Sequence, residues 1–109
     1  MKEASQVVVL ITTATEEEAR SIAELLLNQS KAACINIVPR VDSLFRWQGK
    51  VDSAQESLLI VKTRASLLPE IVEMVKGVHS YEVPEIIALP IINGNEDYLK
   101  WIDSEVKEG

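Results

Sequence analysis

The sequence predicts an α+β domain running β, α, β, β, α, β with a short closing helix, a ferredoxin-like split βαβ arrangement. Apolar, β-branched runs at residues 7–13, 32–38, 58–61 and 86–92 read as strands, and stretches of helical periodicity separate the first from the second and the third from the fourth. A length of 109 residues with 47% hydrophobic content suits one domain, residues 1–109, with a core of its own.

The first strand, residues 7–13, is apolar along its whole length and so predicts burial on or near both faces, at the centre of the sheet. Thr15 stands three residues before Glu18 as a capping box, and Glu16 and Glu17 place negative charge at the positive end of the helix dipole. A helix therefore starts at Glu16. Ala19, Ile22, Ala23 and Leu26 give it one apolar face, and it should end between residues 28 and 31.

Residues 32–38 form the second strand and residues 41–47 continue it, with Pro39-Arg40 read as a bulge or bend. Gln48-Gly49-Lys50 supplies a turn, and the chain returns extended over residues 51–63. This long hairpin projects too far to be covered by its own domain, and such an arm reaches a neighbour. Ser66 can cap a second helix that tolerates Pro69 in its first turn and buries Leu68, Ile71, Val72, Val75 and Val78. Residues 86–92 make the last core strand. Asn93-Gly94-Asn95 turns the chain into a short amphipathic helix over residues 96–106, carrying Tyr98, Leu99, Trp101 and Ile102.

Two helices cover one sheet face in this arrangement and leave the other bare. Several strands are apolar on both faces, so that second face needs a cover, and no further element of the chain is large enough. Identical subunits packing sheet against sheet would supply it.

The net charge of −6, without a basic run, argues against nucleic acid as a partner, and acidity of this size serves solubility. One cysteine allows no internal disulfide, and no stretch of about 20 apolar residues could span a membrane. The polar opening, residues 1–6, leads into an apolar run too short for a secretory signal. A reducing cytosol is the expected location.

Cys34 and His79 are the soft or borderline metal ligands, suited to copper or zinc, but no second Cys or His completes a set in one chain. Cys34 also reads as a small core residue, and His79 as a cap on the second helix. Tyr81, Glu82 and Glu85 surround His79 with a phenol and two carboxylates, which suits a polar ligand or weak cation coordination. Glu56 and Lys62 lie six residues apart on one strand and thus share a face. Trp47 and Trp101 read as packing residues. No nucleophile, phosphate loop or carboxylate pair stands out, so the sequence predicts no enzyme.

Ala33-Cys34-Ile35-Asn36-Ile37-Val38-Pro39, Trp47-Gln48-Gly49-Lys50, Lys62-Thr63, His79 through Pro90, and Tyr98-Leu99-Lys100-Trp101-Ile102 resemble, in order, the CutA divalent-cation tolerance family. The resemblance covers nearly the whole chain. It implies a ferredoxin-like homotrimer, similar in architecture to PII signalling proteins, with interlocking hairpins and clefts between subunits. It implies metal ligation by Cys34 and His79, with copper or another divalent cation as a non-obligatory ligand, and cleft roles for Trp47, Glu56, Lys62, Tyr81, Glu82 and Trp101. A second function fits the same residues: a signalling module holding a small anionic metabolite through Lys62, His79 and Tyr81. Two residues depart from the family pattern. Arg40 stands in place of glycine and must avoid positive φ, and Ser80 replaces proline and predicts a looser backbone beside His79.

Overall fold

The computed structural model describes residues 5–108; the polar opening at residues 1–4 and Gly109 lie outside the described part. Four strands, β1 (Gln6–Thr13), β2 (Cys34–Trp47), β3 (Lys50–Arg64) and β4 (Ile86–Pro90), form one antiparallel sheet in the order β2-β3-β1-β4. Three helices accompany it: α1 (Glu16–Asn28), α2 (Leu68–Lys76) and α3 (Glu96–Glu105). No helix among the described residues is long and apolar enough to cross a membrane.

The α+β class and element order are those the sequence predicts, and the alternation of the strands decides what each face does. Val7, Val9 and Ile11 of β1 and Leu59 and Val61 of β3 point to one side and are buried under Ala19, Ile22, Ala23 and Leu26 of α1 and Ile71 and Val75 of α2. Their neighbours Val8, Leu10, Leu58 and Ile60 point to the other side and are only partly covered, while Ile87 and Leu89 of β4 remain about half exposed there (50% and 51%).

That second face is not wholly bare. Cys34 and Gln6 both lie on it by register, and α3 touches both, through Tyr98 at Cys34 and through Asp103 on the Gln6 side-chain amide at 3.0 Å. Helix α3 therefore crosses one end of the face and leaves the remainder open, a correction to the expectation that no part of the chain reaches it.

The β2–β3 hairpin runs from the Cys34↔Lys62 pair to Trp47↔Lys50, but β1 pairs with β3 only as far as Ser57. Beyond that point the arm stands alone for about 20 Å at the usual rise per residue. The radius of gyration, 14.5 Å, exceeds the roughly 13 Å of a compact chain of this length, as a projecting arm requires. Leu44, Trp47 and Val51 on the arm are all more than 60% exposed.

Pro39-Arg40 is a bulge, as expected: the register jumps from Val38↔Leu58 to Val41↔Glu56, and the buried Ser57 hydroxyl donates to the Pro39 carbonyl at 2.6 Å. One extra residue on β2 restores the face, so Cys34, Val41, Phe45 and Trp47 lie on the same side. Arg40 is not among the positive-φ residues, whereas the turn uses φ 51° at Gln48 and 79° at Gly49.

Four further expectations are corrected. Ser66 does not cap α2: a 3-10 turn over Ala65–Leu67 precedes the helix, and the Ser66 hydroxyl pairs with the Glu108 carboxylate. Val78 lies beyond the helix end and is exposed rather than buried. Strand β4 stops at Pro90, which cannot donate to a further ladder bond, and the C-terminal helix stops at Glu105.

Candidate functional site

The expected residues fall into three groups. The first gathers around His79, just past α2. Its side chain is fully buried, and its Nε2 lies 2.8 Å from the Thr12 carbonyl of β1 while Nδ1 lies 2.9 Å from the Tyr81 backbone N–H. A carbonyl can only accept and an N–H can only donate, so the ring is the neutral tautomer with its hydrogen on Nε2. The Tyr81 ring packs on the imidazole with centroids 4.9 Å apart and its hydroxyl donates to the Glu56 carboxylate at 2.9 Å. Burial, then the hydrogen bond to Glu56, then the negative charges of Glu56 and Glu18 push the Tyr81 phenol up to about 12.

Glu18 joins this group, although the sequence marks it only as part of a helix cap. One carboxylate oxygen accepts from the Ala14 N–H at 3.1 Å and the Ser80 hydroxyl at 3.0 Å; the other accepts from the Ser80 N–H at 2.7 Å and sits 3.7 Å from His79 Nδ1. Burial alone would raise the carboxyl, but the hydrogen bonds from Ser80 and Ala14 outweigh it and hold it below the usual carboxylate value. Ser80 therefore does not loosen the backbone beside His79; it fastens it. Residues 18 and 80 are far apart in sequence, and no local pattern joins them. The expectation that His79 caps α2 is also corrected, since its ring bonds β1 and the Tyr81 backbone instead.

The second group lies at the other end of the sheet. Cys34 is half-buried directly opposite Lys62, with the Tyr98 side chain beside its thiol. Burial first, and then Cys34, raise the Tyr98 phenol. Trp101 stacks against Tyr98 at 5.5 Å, and both rings are about two-fifths exposed. Glu56 and Lys62 do share a face, but six residues of strand put about 20 Å between the two groups. Cys34 and His79 thus do not meet within one chain. Among the described residues no three His, Cys, Asp or Glu side chains form a metal-holding cluster.

Trp47 stands by itself at the hairpin tip, 62% exposed, and Glu82 is exposed in the segment before β4. The chain does not bring Trp47 to the other two groups, whereas Glu82 directly follows Tyr81.

A model of the family described as CutA1 divalent ion tolerance protein matches residues 7–105, which includes every element but the first residue of β1. The chain belongs to the CutA1 divalent ion tolerance family. A divalent-cation tolerance protein CutA of Thermus thermophilus is 54% identical over 95 residues, 87% of this chain and 92% of that one. The chloroplastic protein CutA 1 of Oryza sativa is 45% identical over 102 residues, 94% of this chain but 58% of its own length, so the chain spans little more than half of that relative. Among solved structures, a divalent cation tolerance protein from Thermus thermophilus superposes with a TM-score of 0.91 at 50% identity, covering 94% of this chain and 99% of the other. CutA relatives are described as tolerance proteins rather than as enzymes.

Proposed function

We propose that this chain is a non-enzymatic metal-tolerance protein of the cytoplasm that binds copper or a similar divalent cation as a homotrimer, at sites formed between subunits. The observation that carries this reading is the separation of Cys34 from His79 by much of the sheet, in a chain whose relatives are described by divalent-cation tolerance. Ligands that one chain keeps apart can be brought together by a neighbour, and the open apolar face and projecting hairpin are surfaces on which a neighbour could pack.

Within one chain the donor set does not fit a closed metal site. His79 Nε2 is tied to β1, and Nδ1 can accept an ion only by giving up the Tyr81 N–H, with Glu18 alongside as an oxygen donor. Cys34 would contribute a soft sulfur, the type that favours copper. Glu56, Tyr81 and Glu82 would line one part of the cleft, and Lys62, Trp101 and the neighbour's hairpin with its Trp47 another. Titration of Cu(I), Cu(II) and Zn(II) into the protein and into Cys34→Ser and His79→Ala tests the assignment. Binding weakened in both variants is expected, and unchanged binding in both removes these residues from the site.

A second reading, a PII-like module holding a small anionic metabolite, is favoured by one observation: both His79 ring nitrogens already have partners, while Lys62 offers a cation on the open face. A thermal-shift screen separates the two, since stabilisation by an organic anion and none by metals would select the anion.

A further inference from the structure

The His79 N–H still bonds the Val75 carbonyl at 2.9 Å, but Ser80 and Tyr81 lie past the helix end and before an irregular stretch, and their N–H groups bond side chains instead. Yet two hydrogen bonds there depend on their placement: the Tyr81 N–H on His79 Nδ1, and the Tyr81 hydroxyl on Glu56. The contact that stands outside both is the Glu18 carboxylate, which takes two donors from Ser80 and is itself anchored to the start of α1 by the Ala14 N–H. Its side chain is only 16% exposed, which strengthens these charge-assisted bonds relative to a surface pair.

We propose that Glu18 is the positioning residue of this wall, holding Ser80 so that Tyr81 can complete the hydrogen on Nε2, bare Nδ1 state of His79 and reach Glu56. A carboxylate suits the task because it accepts at both oxygens: one faces the Ser80 hydroxyl and the Ala14 N–H, the other the Ser80 N–H. An amide at the same position keeps one accepting oxygen and turns a donor towards the rest. Glu18 binds no ligand itself in this role. It sets the state in which His79 and Tyr81 are presented to one.

The functional consequence rests on the reading of the His79–Tyr81 wall as part of the ligand cleft, but the positioning can be read without any ligand. The experiment records ring-nitrogen NMR signals of His79 and hydrogen exchange of the Tyr81 amide in the metal-free protein, in Glu18→Ala, Glu18→Gln and Thr15→Ala. Thr15→Ala removes the other half of the helix cap, the hydroxyl that accepts from the Glu18 N–H, and leaves the Ser80 contacts in place.

The unsubstituted protein should show one tautomer with hydrogen on Nε2. Glu18→Ala should keep the hydrogen on Nε2, which the Thr12 carbonyl holds independently, but it should shift the Nδ1 signal as the Tyr81 N–H is lost and speed Tyr81 exchange about five- to tenfold, the effect of losing one ordinary hydrogen bond. Glu18→Gln should fall between, and Thr15→Ala should leave the Nδ1 signal and the Tyr81 exchange unchanged. An unshifted Nδ1 signal with unchanged Tyr81 exchange in Glu18→Ala, or equal disturbance in Thr15→Ala, would overturn the proposal. Copper titration of the unsubstituted protein judges the cleft reading separately, so the two can fail independently.

Discussion

His79 is the only histidine of the chain, and its ring is committed to a carbonyl on one side and a backbone N–H on the other. The cluster of polar side chains from His79 to Glu85 is visible in the sequence, but its wiring is not. Thr12 contributes a backbone carbonyl, which carries no residue-type signal, and Glu18 reaches Ser80 across 62 positions. Tyr81 offers a direct check of the resulting electrostatics. Its phenol is held up to about 12 against an ordinary value of 10, so the neutral form is favoured in the fold. The stability this contributes is fully present below pH 10 and is lost as pH rises through 12. Phenolate absorbance should therefore show Tyr81 ionising near 12, and Glu56→Gln should move it back towards 10 by removing the charge beside it. An unchanged titration in that variant would contradict the role given to Glu56.

Elements with a repeating pattern were legible, and so were both ends of α1; the start of α2 and the ends of β4 and α3 were not. Helix α1 begins at Glu16 with the Thr15 hydroxyl accepting from the Glu18 N–H, as the capping box predicts. It ends in a Schellman motif, Lys31 N–H on the Leu26 carbonyl and Ser30 N–H on that of Leu27, with Ser30 at φ 57° where glycine is usual. The end falls between residues 28 and 31 as expected, but a serine does not announce the left-handed conformation. Ser30→Gly should raise unfolding stability by about 1 kcal/mol in a denaturant titration, because glycine accepts the left-handed conformation without a Cβ penalty. A loss of stability would show that the Ser30 side chain contributes more than its strain removes.

The hairpin was legible for a different reason: Pro39 cannot donate inside a ladder, so a bulge was required, and Ser57 answers its carbonyl. Ser57→Ala should cost about 1 kcal/mol by the same measurement, the net worth of one hydrogen bond, and a neutral result would mean that water replaces the hydroxyl. The start of α2 was misread because Ser66 has the residue type of a cap but is drawn to Glu108. The C-terminal segment that places Glu108 there is held by Lys31, whose buried ammonium pairs with Glu70 at 2.6 Å and donates to the Lys107 carbonyl at 3.0 Å. A contact between residues 66 and 108 is set by the fold and has no local signature.

At the scale of the molecule, the strand alternation leaves Leu10, Leu58, Ile60, Ile87 and Leu89 on a face that α3 covers only at one end. The two-sided apolar character of the strands made this legible in the sequence, whereas the path of α3 across that face was not, since its amphipathic pattern names a buried side but not a partner. Light scattering should give a mass of three times 12.1 kDa at micromolar concentration, and a mass of one chain would contradict assembly.

The central claim is that the ligand site draws Cys34 from one subunit and His79 from another. Mixed trimers test it most directly, with Cys34→Ser and His79→Ala chains co-expressed in equal amounts and copper binding compared with that of each variant alone. Each variant alone should lose the site, while random mixing should restore about a quarter of the unsubstituted capacity, because that share of interfaces pairs an intact Cys34 with an intact His79. No recovery in assembled mixed trimers would contradict the claim.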